Sequence, residues 1–72
     1  MEFKYIKEAD ILIIILANEK IEYTEQAGPI NIHFSIDKKP VLIEILDAKD
    51  FLSKALDFTK KAEDYKHFKI LK

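Results

Sequence analysis

The chain has 72 residues, with 12 lysines and no arginine set against 13 acidic residues, and it has no cysteine. That length makes a single domain over 1–72, near the lower limit for folding without staples, and the missing cysteine excludes a disulfide framework and a thiolate metal site. Hydrophobic content of 49% beside 35% charged residues excludes a disordered chain and describes a globular one with a densely charged surface.

Glu2 to Ile6 reads as a short first strand, and Lys7-Glu8-Ala9-Asp10 as the turn that follows. The run Ile11-Leu12-Ile13-Ile14-Ile15-Leu16 is apolar on both faces of any strand it forms, the pattern of a strand covered on two sides. Six residues fall far short of the roughly 20 needed to span a bilayer. Asn18-Glu19-Lys20 makes a tight polar connection, with Asn18 suited to the left-handed conformation. Ile21 to Gln26 alternates, and Gly28-Pro29 marks a turn or bulge with the chain's single glycine. Ile30 to Ile36 carries four apolar residues at period two. Asp37 to Pro40 turns the chain into a last strand, Val41 to Leu46.

From Asp47 the period becomes helical. Asp47 or Asp50 is placed to cap the helix. Phe51, Ala55, Phe58, Ala62 and Tyr65 follow a 4-3-4-3 spacing, widened by Leu52 and Leu56. Phe51, Leu52, Ala55, Phe58 and Ala62 are expected to pack on the sheet. Asp50 with Lys54, and Asp57 with Lys61, are acid-then-base pairs at i, i+4. The helix is expected over about 48–66, about 27 Å at 1.5 Å per residue. It would overhang a sheet of four or five strands, which is about 19 to 24 Å wide. The fold class is therefore α+β: an antiparallel β-meander of four to five strands, then one long C-terminal helix.

One helix covers one sheet face. The side chains left over form a second apolar patch, Ile11, Ile13, Ile15, Leu42 and Leu46, and a patch of that kind marks an association surface. Phe68, Ile70 and Leu71 could fold back over it. Three tail residues do not easily cover five aliphatic side chains on two strands, so a second copy or a small partner protein is the expected cover.

Two stretches carry a family resemblance. Tyr5-Ile6-Lys7-Glu8-Ala9-Asp10 followed by Ile11-Leu12-Ile13-Ile14 resembles the opening motif of domain-of-unknown-function family 2283, a set of small prokaryotic proteins. Ile43-Glu44-Ile45-Leu46-Asp47-Ala48 is similar to its closing strand-to-helix motif, and Gln26-Ala27-Gly28-Pro29 to its midpoint turn. The resemblance covers roughly residues 3 to 52. The family usually has Asp after the Tyr, Tyr within the strand, and Gly on either side of the final turn. This chain has Ile6, Ile13, Lys38 and Leu42 there, which makes it more apolar than the pattern. The resemblance implies no catalytic activity. Some members are encoded beside small toxin-like proteins, which implies an antitoxin-like role as one form of partner binding.

The residues themselves point away from catalysis, so the chain is not expected to be an enzyme. His33 is expected on a solvent-facing or edge position and His67 in the tail, and two separate histidines make no metal site. Asp10 and Glu44 could meet across the sheet as a pair. A turn Asp is better explained by bonds to backbone, and a buried Glu44 would need a partner, such as a Lys of another chain. Ser35, Ser53 and Thr59 have no base beside them in sequence, and one glycine cannot build a phosphate loop. No cofactor is expected.

Nucleic acid is the alternative partner. Lys60, Lys61, Lys66, Lys69 and Lys72 are interleaved with Tyr65 and Phe68, a composition that can follow a phosphate backbone. A net charge of −1 and the absence of arginine, the usual base reader, weigh against it. Charged residues interrupt the N-terminus before any apolar run, so no signal peptide is expected, and the chain is expected to be cytoplasmic. Abundant lysine with only two Asn and one Gln matches the composition of thermophilic proteins, a bias that an A- and T-rich genome would also produce.

Overall fold

Residues 1–61 are described by a computed structural model, Lys61 by its backbone alone. The strands are β1 (Glu2–Ile6), β2 (Ile11–Ile15), β3 (Tyr23–Ala27), β4 (Ile30–Phe34) and β5 (Pro40–Ile45), and the helix is α1 (Ala48–Lys61). All four strand pairings are antiparallel. The α+β arrangement is the one the sequence periods require.

Turn chemistry explains where the strands end. Asp10 (φ 55°) closes the β1–β2 turn, its amide donating to the Lys7 carbonyl at 3.3 Å. Asp tolerates this left-handed backbone better than most side chains. The two-residue turn Gly28-Pro29 joins β3 to β4. A positive φ of 58° at Gly28 followed by the fixed negative φ of proline is the type II′ pattern that suits twisted hairpins. In the β4–β5 turn the left-handed position falls on Lys38 (φ 65°), where the family pattern has glycine. Ser35, 2% exposed, holds this turn: it exchanges backbone bonds with Lys38 and Lys39, and its hydroxyl accepts from the Lys39 amide. Asn18 is not among the left-handed residues, which are Asp10, Lys38, Asp47 and Gly28.

The strand order is β1-β2-β5-β4-β3. Strands β3, β4 and β5 run as a meander, and β5 then closes onto β2 and occupies the centre. The two strands richest in apolar residues on both sides are thus neighbours in the middle. A bulge at His33/Phe34 pairs His33 with Leu42 and Phe34 with Pro40, leaving Val41 as the extra residue. Its carbonyl accepts from the amides of Leu16 and Ala17.

Register sorts the side chains onto two faces. On one, Phe3 and Tyr5 of β1 stand beside Ile14 and Leu12 of β2, followed by Ile43 and Ile45 of β5, then Ile32 and Ile30 of β4. Tyr23 and Phe34 extend it, their rings stacked at 5.0 Å. On the other face, Ile13 and Ile15 lie beside Glu44 and Leu42, and these beside Asn31 and His33.

The helix departs from expectation. Ala48 is fully buried and Phe51 half-buried, but every side chain from Leu52 to Lys60 is exposed. Leu52, Ala55 and Phe58 therefore do not pack on the sheet; Leu52 is 42% and Phe58 53% exposed. Ala62 and the helix beyond 61 lie outside the described residues. The cause is at the helix start. Ala48 N donates to the Asp10 carbonyl at 3.0 Å, and Lys49 N to the Asp10 carboxylate at 3.2 and 3.4 Å. Asp10 caps the helix from the far hairpin, in place of the local cap that Asp47 or Asp50 would supply. Asp47 contributes its carbonyl to Phe51 N, from a left-handed backbone (φ 49°). These bonds tie the first turn to the end of the sheet, and the rest of α1 runs clear of it.

Candidate functional site

Asp10 is the first of two polar constellations. The Tyr5 hydroxyl donates to Asp10 Oδ1 at 2.7 Å, while the same carboxylate receives the Lys49 amide. Tyr5 shares its face with Leu12, so the helix begins at the Leu12/Ile45 corner of that face. The phenol is held above its usual pKa of 10.0, chiefly because ionisation would break the bond to Asp10, with desolvation and the carboxylate charge adding to it. Ala48, with no exposed surface, leaves no room for a larger side chain at the joint. Every residue here serves the architecture, and the opening and closing motifs are the two halves of one sheet-to-helix joint.

The second constellation crosses three strands. His33 Nε2 lies 2.6 Å from Glu44 Oε1 and must donate, since a carboxylate oxygen only accepts. Thr24 Oγ1 lies 2.6 Å from His33 Nδ1. His33 is thus neither on an edge strand nor turned to solvent; its side chain is 18% exposed. Glu44 finds a partner in its own chain, and it does not meet Asp10. The order hydroxyl, imidazole, carboxylate is that of hydrolytic triads, but here it lies across a strand surface. It does not line the open groove of about 660 Å³ formed by Met1, Glu2, Ile15, Leu16, Ala17 and Asn18. Its evident effect is to satisfy Glu44, which stands beside Ile13 of β2.

One part of this line was legible. Thr24 and His33 are equidistant from the Gly28-Pro29 midpoint, so a two-residue hairpin must pair them. The His33–Glu44 contact is diagonal, with His33 opposite Leu42 and Asn31 opposite Glu44, and needed the β4–β5 register. The Asp10–helix bonds join residues 38 and 39 apart and have no local signal.

The structure brings the candidate interface residues Ile11, Ile13, Ile15 and Leu42 onto one face, with Leu46 at the end of β5, and all five are half-buried. Of the candidate nucleic-acid residues, Lys60 is exposed and Lys61 is the last described residue of the helix. Lys66, Lys69 and Lys72 lie outside the described residues, as do Phe68, Ile70 and Leu71. Among the described residues no cluster of His, Asp and Glu could hold a metal ion, and no helix is long and apolar enough to cross a membrane.

No curated protein and no solved structure matches the chain. Residues 2–49, which contain both motifs and the joint they form, match the family model described as protein of unknown function (DUF2283), and the chain belongs to that family.

Proposed function

We propose that this protein is a non-catalytic interaction module that self-associates or pairs with a small partner protein. The observation that carries the reading is the scarcity of fully buried apolar residues. Among the described residues only Val41, Ile45 and Ala48 qualify, while β2 and β4 are half-buried along their whole lengths. Fully burying an aliphatic side chain contributes roughly 1.5–3 kcal/mol, so strands left half-buried along their whole lengths forfeit part of what their sequence offers. Cover from another chain recovers it. The antitoxin-like form of this reading has the adjacent gene product as that chain.

Light scattering of the purified protein over a micromolar dilution series tests the reading, together with co-purification of the adjacent gene product. A dimer or larger species, or a stoichiometric complex, is expected. A monomer at every concentration that also fails to retain the neighbour rejects it.

A further inference from the structure

We infer that the Phe3/Tyr23 face of the sheet is covered by α1 of a second copy, in a reciprocal helix exchange about a twofold axis. The inference rests on the self-association reading and names its contact.

Two apolar surfaces of one chain lack cover among the described residues. The first is the sheet face that holds Phe3 (61% exposed), Tyr5 (44%) and Tyr23 (36%) around half-buried Ile14, Ile32 and Ile43. Glu25 is the one charged strand residue on that face, and it sits on the edge strand β3. The second is the flank of α1 around Leu52, Ala55 and Leu56, with Leu56 61% exposed. Asp10 fixes the first turn of α1, and every side chain from Leu52 to Lys60 is exposed, so among the described residues the chain does not bring the two together itself.

Dimensions and symmetry select the occupant. A face of five strands, four of five residues and one of six, is about 24 by 17 Å. A 14-residue helix is about 21 Å long and 10 Å wide, so it spans the sheet and covers about half of it. Two such contacts, counted on both surfaces, come to about 800 Å² in plan. The relief of the side chains adds to that, bringing it near the roughly 1,000 Å² of a specific interface. A different protein would cover the sheet and leave α1 bare, or the reverse. A second copy supplies the missing helix to each sheet and the missing sheet to each helix, the self-complementarity a twofold contact requires. The Ile13 face then stays outward, available to a partner.

Methyl spectra test this directly, because the chain has no cysteine and isoleucines on both faces. A nitroxide on Lys60→Cys is mixed with wild-type chains carrying labelled isoleucine methyls, so that any broadening passes between chains. The expected result is broadening of Ile14, Ile32 and Ile43 that exceeds that of Ile11, Ile13 and Ile15. Leu56→Glu, at an exposed site, should raise the dimer dissociation constant at least tenfold with the far-ultraviolet circular dichroism unchanged. A dimer with the opposite broadening pattern, or with none between chains, overturns the exchange and leaves the self-association reading standing. So does broadening confined to a doubly labelled chain diluted into excess unlabelled protein, which would put α1 on its own sheet. A monomer at all concentrations overturns both.

Discussion

Asp10 concentrates three roles in one residue, being the left-handed turn position, the acceptor for Tyr5 and the cap of a distant helix. The raised Tyr5 pKa turns this into a pH dependence. A group whose pKa is higher folded than unfolded contributes its stability in full below the unfolded value, and loses it as pH rises through the folded one. Tyr5→Phe should therefore lower the Tm by a constant amount below pH about 10, and the two proteins should converge above it. Thermal melts of both across that range check this, and comparison with wild type cancels the other tyrosines. At Glu44 the expectation is asymmetric. His33→Val leaves the carboxylate without its imidazole and should cost about 1–3 kcal/mol, whereas adding Glu44→Leu should recover most of it. Urea unfolding of the four proteins of that cycle gives the answer. The polarity of these residues was plain in the sequence, but their partners were fixed by register and by contacts far apart in the chain.

The strands were legible because period two and a doubly apolar block are properties of the residues themselves. The start of the helix was legible too, from the change of period after Leu46. Its packing was not, because an apolar flank says that a helix needs cover and does not say whose sheet supplies it. Its first turn is held by Asp10. Asp10→Ala should cost about 1–2 kcal/mol by uncapping α1. Asp10→Asn, which keeps an acceptor and tolerates the left-handed backbone, should cost less; equal losses would locate the effect outside the cap. At the β4–β5 turn the departure from the family's glycine has a measurable consequence. A left-handed residue with a β-carbon costs about 1–2 kcal/mol, so Lys38→Gly should raise stability by about 1 kcal/mol after glycine's extra unfolded-state entropy. Denaturant midpoints at unchanged m-value are the test.

Across the described domain the sheet is one layer thick, and every side chain of α1 from Leu52 to Lys60 is exposed. On the proposed self-association, this is a geometry that a second chain would complete. Stability should then depend on protein concentration. Tenfold dilution should lower the Tm, because a partner that binds only the folded chain stabilises it by mass action. A Tm that is constant over two decades of concentration would assign the stability to the chain alone.

The central position of β5 also orders events in time. Synthesis releases the β1–β2 hairpin first and the β3–β4 hairpin second, and these two share no pairing in the finished sheet. Until Ile45 leaves the ribosome, the inner edge of β2 presents unpaired backbone beneath five consecutive aliphatic side chains. At about 5–20 residues per second that interval lasts a few seconds. A nascent chain is then open to β5 from a neighbour on the same message, so crowded translation is a condition under which this small sheet is exposed to mispairing.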